Sequence, residues 1–392
     1  MKTGWQMKRL GEVCQTSFGG TPLKSKKEFY EGGAIPWLMS GEVSKGEVLH
    51  ATNFITQKGL ENSSAKIFPR NTVLVAMYGA TAGEVGILRF ESSTNQAVCG
   101  VLPNERLIPE FLFYCLLSKK DELIAQAAGN AQPNISQIKI RNTEIPVPPL
   151  PEQQRIVAIL DEAFAAIAKA KSNAEQNLKN AKELFESYLQ NVFENKGEDW
   201  EEKTLEQVCE ISSKLIDPRK SEFQKLVHIG AGNIESRTGN LIDLKTAEEE
   251  NLISGKFLFD EKMILYSKIR PYLIKVVRCA FNGLCSADIY PLVPLKNEMI
   301  RDFLYYLLLT KNFTDYAILG SQRAGMPKVN REHLFAYRSL IPSLSEQQTI
   351  VQKLDALSTQ TKQLEAIYQQ KLTALDELKK SILNQAISGQ LS

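Results

Sequence analysis

Long apolar runs are absent from this sequence. No stretch of its 392 residues approaches the roughly 20 consecutive apolar residues that a membrane-spanning helix requires, and the first residues, MKTGWQMKRLGEV, include no apolar signal segment. We therefore expect no membrane partner and a cytoplasmic location. With 43% hydrophobic and 23% charged residues the composition is that of a globular protein, and the length predicts two or more domains.

The sequence also has few residues of the kinds that build catalytic or metal sites. Its six cysteines include no Cys-x-x-Cys pair and lie in apolar surroundings, which indicates reduced thiols and no zinc site. Its three histidines, His50, His228 and His333, have no cysteine or paired carboxylate at ligand spacing, so we expect no catalytic and no metal-binding residue in this chain. A net charge of +2 is too small to indicate a nucleic-acid partner by itself.

What the sequence does contain is an internal repeat. LPEQQRIV from Leu150 returns as LSEQQTIV from Leu344, and five of the ten residues from Trp5 recur from Trp200. FLFYCLL in the first half likewise returns as FLYYLLL in the second. The chain therefore reads as a globular domain, a long helix, a second globular domain and a second long helix, with predicted bounds at 1–150, 151–196, 197–342 and 343–392.

Both helical segments show a coiled-coil pattern. From Glu152 to Phe193 no proline or glycine interrupts 42 residues dominated by good helix formers, and Ser345 is a candidate cap for the second helix. Apolar residues recur along both segments with the same single stutter, which two unrelated amphipathic helices would not share. The predicted helix-pairing residues are Ile156, Leu160, Ile167, Leu178, Phe185 and Tyr188 in the first segment, and Ile350, Leu354, Leu357, Leu364, Tyr368, Leu372, Leu375 and Ile382 in the second.

Chain geometry predicts how these helices run. A helix of 42 residues is about 63 Å long, whereas a domain of about 145 residues is roughly 40 Å across. The second domain cannot easily return the chain to the start of the first helix, so the helices should run antiparallel. The predicted fold class is α+β, with two similar globular domains joined by two long antiparallel helices that form a coiled coil, related by a pseudo-twofold axis.

Five short motifs are spread along the whole chain: Trp5-x-x-x-x-Leu-Gly11, Gly19-Gly-Thr-Pro22, Ile35-Pro-Trp37, Pro148-Pro-Leu-x-Glu-Gln153 and Pro342-x-x-x-Glu-Gln-Gln348. Together they resemble the specificity subunits of type I restriction-modification systems. The second half departs from this pattern, because it lacks the Gly-Gly-Thr-Pro loop and has Leu226-Val-His where the first half has Ile-Pro-Trp.

The resemblance implies a non-catalytic DNA-binding subunit with two target-recognition domains. Each domain would read one half of a bipartite asymmetric site in double-stranded DNA. The helices and domains would assemble two adenine methyltransferase (modification) subunits and the restriction subunits. No cofactor is expected in this chain, because S-adenosylmethionine, ATP and Mg²⁺ would belong to those partners.

We expect DNA to be read by loops in which the two halves differ in polar residues. Arginine and lysine can pair guanine, and asparagine and glutamine can pair adenine, although phosphate contact or packing is an open alternative for each residue. The candidate DNA-binding residues are Thr21, Lys24, Tyr78, Thr81, Asn95, Gln96 and Asn134 in the first half, and Lys268, Arg270, Tyr272, Arg323, Lys328 and Asn330 in the second.

Two other classes of function stay open at this point. A coiled-coil scaffold that bridges proteins without direct DNA readout is consistent with the low net charge. A self-contained enzyme is disfavoured, because no G-x-x-x-x-G-K-[ST] phosphate loop and no Asn-Pro-Pro-aromatic methyltransferase motif occur. The loop from Gly79 to Gly83 could be taken for a phosphate cradle, but its counterpart from Arg270 to Ile274 has no glycine, and we interpret it as a turn that varies between the halves.

Overall fold

The structure is a computed structural model that describes residues 4–44, 46–126, 134–195, 197–321 and 326–391. The chain divides into two units, which we call unit 1 (Met1–Glu175 with Gln370–Ser392) and unit 2 (Gln176–Gln369). Two long helices contribute residues to both units, since each of them continues across a boundary between the two.

Unit 1 consists of short strands and short helices followed by the start of the first long helix. Its strands are β1 (Gln6–Arg9), β2 (Thr16–Phe18), β3 (Ile35–Leu38), β4 (Glu47–Val48), β5 (Asn53–Ile55), β6 (Ile67–Phe68), β7 (Val73–Ala76), β8 (Val85–Leu88), β9 (Ser92–Thr94), β10 (Val98–Val101) and β11 (Glu144–Val147). Its helices are α1 (Leu10–Val13), α2 (Ser40–Val43), α3 (Gln57–Glu61), α4 (Pro109–Ser118), α5 (Lys120–Gln126), α6 (Gln137–Asn142) and the first part of α7 (Leu150–Glu194).

Unit 2 repeats this plan. Its strands are β12 (Glu201–Thr204), β13 (Cys209–Ile211), β14 (Leu215–Ile216), β15 (Val227–Ile229), β16 (Lys245–Thr246), β17 (Lys256–Phe259), β18 (Ile264–Ser267), β19 (Val276–Arg278), β20 (Gly283–Cys285), β21 (Ile289–Pro294) and β22 (Arg338–Ile341). Its helices are α8 (Leu205–Val208), α9 (Arg301–Leu309), α10 (Lys311–Leu319), α11 (Arg331–Phe335) and the first part of α12 (Leu344–Ile387).

The sheets of the two units have matching strand orders. One sheet of unit 1 has the order β2-β10-β7-β8-β4, and its counterpart in unit 2 has the order β13-β21-β18-β19. A second sheet of each unit has the order β5-β3-β9-β6 or β16-β15-β20-β17-β14, and in both the third strand runs parallel to the second. Each unit also has a two-stranded sheet, β1-β11 or β12-β22. The predicted α+β fold with an internal repeat is therefore confirmed.

The core of each unit lies between the first of these sheets and the helices. The central strands β7 (VLVA) and β18 (ILYS) are buried along their whole length, as expected for strands covered on both faces. Both long helices add side chains to these cores, and burial of such apolar surface drives their packing. The contributing residues are Ile156, Leu160, Leu383, Ala386 and Ile387 in unit 1, and Leu189, Phe193, Val351 and Leu354 in unit 2.

Within unit 1 the two long helices run antiparallel. Lys171 Nζ of α7 lies 2.8 Å from Asp376 Oδ1 of α12, and Arg155 Nη2 near the start of α7 donates to the Leu391 carbonyl oxygen (3.3 Å) just beyond the end of α12. The α7 and α12 helices therefore run in opposite directions within this unit, as predicted.

The predicted helix-pairing residues differ in burial. Ile156, Leu160, Ile167 and Leu354 are buried, whereas Leu364 is 39% exposed. A straight helix has 3.6 residues per turn, so a repeat read over several turns rotates away from the packed face. The remaining predicted residues are half-buried: Leu178, Phe185, Tyr188, Ile350, Leu357, Tyr368, Leu372, Leu375 and Ile382. The prediction missed Leu189, Phe193, Val351 and Leu383, which are buried.

The cap of the second long helix is Ser343. The α12 helix begins at Leu344, and the Ser343 hydroxyl accepts from Glu346 N (3.3 Å) while the Ser343 carbonyl accepts from Gln347 N (2.8 Å). The prediction of Ser345 as the cap is therefore wrong by two residues, because Ser345 already lies in the first turn.

The repeated Glu-Gln-Gln phrase attaches each long helix to its unit. Gln153 is fully buried, its Nε2 donates to the carbonyls of Arg106 (2.8 Å) and Pro148 (2.9 Å), and its Oε1 accepts from Ile108 N (2.9 Å). In unit 2 the equally buried Gln347 makes the same three contacts, with Glu298 O (3.0 Å), Pro342 O (2.9 Å) and Ile300 N (2.8 Å). Each glutamine thus fixes the start of a long helix against the start of α4 or α9.

Candidate DNA-reading loops

Four loops of unit 1 meet at one place. Met77 N donates to Ala97 O (2.8 Å), Ile135 N donates to Met77 O (2.9 Å), and Tyr78 forms an isolated β-bridge with Asn134. We call the described residues 19–21, 77–83, 94–97 and 134–135 the unit 1 loop cluster. It contains six of the residues predicted from sequence to bind DNA: Thr21, Tyr78, Thr81, Asn95, Gln96 and Asn134.

Close backbone contact explains the Gly-Gly-Thr-Pro motif of this cluster. Gly20 N donates to Thr94 O (2.8 Å), and a Cβ at Gly19 would lie only 2.1 Å from the same oxygen. No other residue fits such an approach. The contact brings the Thr21 hydroxyl to the Gln96 side chain, where it donates to Oε1.

Unit 2 forms an equivalent cluster with the same backbone hydrogen bonds. Lys268 N donates to Asp288 O (3.0 Å), Val329 N donates to Lys268 O (2.8 Å), and Ile269 forms an isolated β-bridge with Lys328. We call residues 268–274, 286–290 and 326–330 the unit 2 loop cluster. Because the bonding partners correspond one to one, Lys268 takes the position of Met77, Asp288 that of Ala97, and Lys328 that of Asn134.

The unit 2 loop cluster is charged. Lys328 Nζ lies 3.2 Å from Asp288 Oδ1, and Lys268 Nζ lies 4.9 Å from the centroid of the Tyr290 ring, a distance typical of a cation–π contact. Burial, and secondarily the neighbouring positive charge of Lys328, lower the pKa of Lys268. Met77, Ala97 and Asn134, at the equivalent positions of unit 1, are all neutral.

A 3-10 turn with left-handed residues at equivalent positions closes one side of each cluster. In unit 1 the 3-10 turn Gly79–Thr81 begins at left-handed Gly79 (φ +71°), and left-handed Gly83 (φ +82°) follows two residues after its end. In unit 2 the turn Pro271–Leu273 lies between Arg270 (φ +49°) and Ile274 (φ +48°). The two left-handed positions are therefore kept where glycine is replaced, while the span of the 3-10 turn and its residues differ between the halves.

Two predicted DNA-binding residues make local hydrogen bonds to the backbone. Asn95 is buried, and its Oδ1 accepts from Ala97 N (3.2 Å), which shapes the loop that carries Gln96. Asn330 Oδ1 accepts from His333 N (2.7 Å), so that Asn330 caps α11. Local hydrogen bonding of this kind competes with base contact for a short amide side chain.

The other predicted residues divide by exposure and position. Arg323 lies outside the described residues. Lys24 is exposed three residues beyond Thr21, in no described contact with the cluster. Exposed residues within the clusters are Tyr78, Gln96, Asn134, Arg270 and Tyr272, and half-buried ones are Thr21, Thr81, Lys268 and Lys328.

Sequence reasoning missed Asp288 and Tyr290 in the unit 2 loop cluster. The Tyr290 hydroxyl donates to Val329 O (3.2 Å), which ties β21 to the loop that carries Lys328. The signal was present in the repeat, because SADIY from Ser286 corresponds to NQAVC from Asn95, and the segment of the second half carries a charge and an aromatic ring.

No group of three or more histidine, cysteine or acidic residues that could hold a metal ion occurs in the described part of the chain. The described helices also include none that is long and apolar enough to cross a membrane.

Two similar α+β units, each attached to long helices and each with one loop cluster held by matching backbone hydrogen bonds, define a class of proteins built from paired units. The family model for the type I restriction modification DNA specificity domain matches residues 2–178 and 197–374, one match in each half. The chain belongs to this family.

Individual relatives agree with the family match. The Escherichia coli type I restriction enzyme EcoDI specificity subunit is 29% identical over 316 residues, which cover 72% of this chain and 70% of that one. A chain from a structure of complex assembly in a type I R-M system has a TM-score of 0.81 at 20% identity, covering 100% of this chain and 99% of that one. The HsdS subunit from Thermoanaerobacter tengcongensis has a TM-score of 0.64 at 19% identity, covering 100% and 98%.

Proposed function

We propose that this chain is the DNA sequence-specificity subunit of a type I restriction-modification complex, and that each unit reads one half of a bipartite asymmetric site in double-stranded DNA. One observation carries the proposal: both loop clusters are held by the same backbone hydrogen bonds, while their side chains differ in charge and hydrogen-bonding groups. A constant frame with variable side chains suits the reading of two different base sequences in the major groove.

The subunit would also assemble the catalytic partners, namely two adenine methyltransferase subunits and the restriction subunits. S-adenosylmethionine, ATP and Mg²⁺ would bind to those partners, and this chain would have no catalytic role. The long helices offer surface for such assembly, because Leu184, Ile367 and Leu378 are about half exposed on them. The bounds of the two recognition domains at 1–150 and 197–342, and the cytoplasmic location, stay predictions.

A domain exchange tests the proposal against the scaffold alternative. Residues 1–150 would be replaced by the first recognition domain of another specificity subunit, and the chimera would be expressed with its methyltransferase. We expect one half of the methylated site to change and the other half, with the spacer, to persist. A protein-bridging scaffold would leave the methylated sequence unchanged, and a chain with the same junctions but its own domain serves as the control.

A further inference from the structure

The two loop clusters differ in the charge of their side chains. The unit 2 loop cluster holds three cations, Lys268, Arg270 and Lys328, and one carboxylate, Asp288. The equivalent positions of unit 1 hold Met77, Gly79, Asn134 and Ala97, none of which is charged, in a backbone with the same hydrogen bonds. The difference therefore lies in what the clusters present to a ligand and not in how they are held.

Two of the three cations are engaged within the cluster. Lys328 is paired with Asp288, and Lys268 lies against the ring of Tyr290. Within the described ranges the guanidinium of Arg270 makes no hydrogen bond and no ion pair, although its own backbone N donates to Pro327 O (2.9 Å). The N–H donors of the Arg270 guanidinium therefore have no acceptor among the described residues.

The backbone at Arg270 gives an independent reason to assign its side chain a role. Its φ of +49° is left-handed, a conformation that is unfavourable for a residue with a Cβ and that unit 1 occupies with Gly79. No described contact of the arginine side chain compensates for this strain in the folded chain. Strained residues of this kind are concentrated at functional sites.

We propose that Arg270 is a specificity-determining residue that reads a guanine in the half-site recognised by unit 2; the inference rests on the function proposed above. The planar guanidinium can donate two parallel hydrogen bonds to guanine O6 and N7, which an ammonium group cannot match in geometry. Asp288 and Tyr290 hold the two lysines beside it, so that the cluster is positive where the acceptor-rich edge of guanine and the nearby phosphates would lie.

Arg270→Gly is the decisive variant, because it removes the guanidinium and installs the residue that the equivalent turn of unit 1 already has. The turn is therefore expected to persist. The chain and its methyltransferase would be expressed in a host without adenine methylation, and modified adenines would be mapped across the genome. We expect wild type to show a guanine at one position of one half-site. Arg270→Gly should lower the preference for that guanine by about tenfold to a hundredfold, with all other positions kept. Arg270→Lys should lie between the two.

Arg237→Gly is a matched control. Arg237 is an exposed arginine of the same unit with a left-handed φ of +67°, but it lies outside the loop cluster and pairs with Glu186 (3.3 Å). Its replacement should leave the methylated motif unchanged.

Each outcome decides the question. An unchanged motif in Arg270→Gly, or a relaxed position that is not guanine, would overturn the inference while the proposed function stands. A uniform loss of methylation with the same motif would also overturn it, since that result indicates a phosphate contact. If wild type yields no bipartite motif with a methyltransferase that is active with other specificity chains, the proposed function itself fails.

Discussion

At the scale of single residues, the repeated phrase around Gln153 and Gln347 has a structural explanation. Each glutamine satisfies two carbonyls and one N–H at the junction between a long helix and a recognition unit. A sequence can show that such a phrase recurs. It cannot show which of two adjacent glutamines is buried, because that depends on the helix face that meets the domain.

Replacement of Gln153 by alanine should destabilise the protein by about 3 kcal/mol, since it leaves buried backbone groups without partners. Denaturant unfolding of the full chain measures the change. Gln154→Ala is the matched control, because Gln154 is the next residue and is exposed; it should change the unfolding free energy by less than about 0.5 kcal/mol. Equal effects of the two substitutions would contradict the assigned role of Gln153.

A second residue, His228, predicts how stability depends on pH. Its Nδ1 lies 2.7 Å from Glu250 Oε2, and its buried Nε2 has no partner among the described residues. Burial lowers the pKa of His228 more than Glu250 raises it. An unfolded histidine has a pKa of about 6.5, so the unfolded chain binds more protons, and stability should fall as the pH drops below that value.

His228→Phe should weaken this loss of stability. The measurement is the unfolding free energy from urea titration at about pH 7.5 and about pH 5.5, bracketing the pKa of unfolded histidine. His50→Gln, at an exposed position of unit 1, should keep the loss seen in wild type. An equal loss in wild type and His228→Phe would show that His228 does not titrate as proposed.

At the scale of elements, the long helices were predictable and the sheets were not. Helix formers without proline or glycine, and an apolar repeat, specify a helix over more than 40 residues by local rules alone. The strands span two to six residues. Over so few residues, the alternating apolar pattern of a strand cannot be distinguished from the apolar pattern of a helix. Strand order depends on pairings between distant segments, such as β3 with β9, that no local signal encodes.

The same limit applies to the loop clusters. The unit 1 loop cluster contains six predicted residues, and five of them are exposed or half-buried. The sixth, Asn95, is buried, and its side chain accepts a hydrogen bond from Ala97 N. Polar composition pointed to these loops in the sequence. Hydrogen bonding within the folded unit determines which of their side chains hold the loop in shape and which remain exposed to solvent.

Burial along α12 predicts which leucines hold this helix in place. Leu354 is fully buried, and Leu354→Ala should destabilise the protein by about 2–5 kcal/mol because it leaves a cavity. Leu364, in the same helix and the same unit, is 39% exposed. Leu364→Ala should lower the unfolding free energy by less than about 1 kcal/mol. A loss at Leu364 as large as that at Leu354 would contradict this expectation from burial.

At the scale of the whole molecule, low net charge limits what the chain does alone. A net charge of +2 over 392 residues can neutralise few phosphates. We expect weak, strongly salt-sensitive binding of duplex DNA by the isolated subunit, and tighter binding once methyltransferase subunits add basic surface. Titration of a labelled duplex over a range of salt concentrations measures both. Tight sequence-specific binding by the isolated chain at physiological salt would contradict this expectation.

The internal repeat was the strongest whole-molecule signal in the sequence. It predicted two similar domains and two long helices, and the strand orders of units 1 and 2 confirm the similarity. The repeat aligned Gly79 with Arg270, but it could not show that both residues have a left-handed backbone, because an arginine gives no sequence signal for a positive φ. A shared conformation of this kind is visible only in the backbone.

Genome-wide mapping of modified adenines tests the central claim most directly. The chain would be co-expressed with its methyltransferase in a host that lacks adenine methylation. Two reading units predict one split, asymmetric motif with a gap of constant length. A methyltransferase that is active with other specificity chains but leaves no motif with this one would contradict the account.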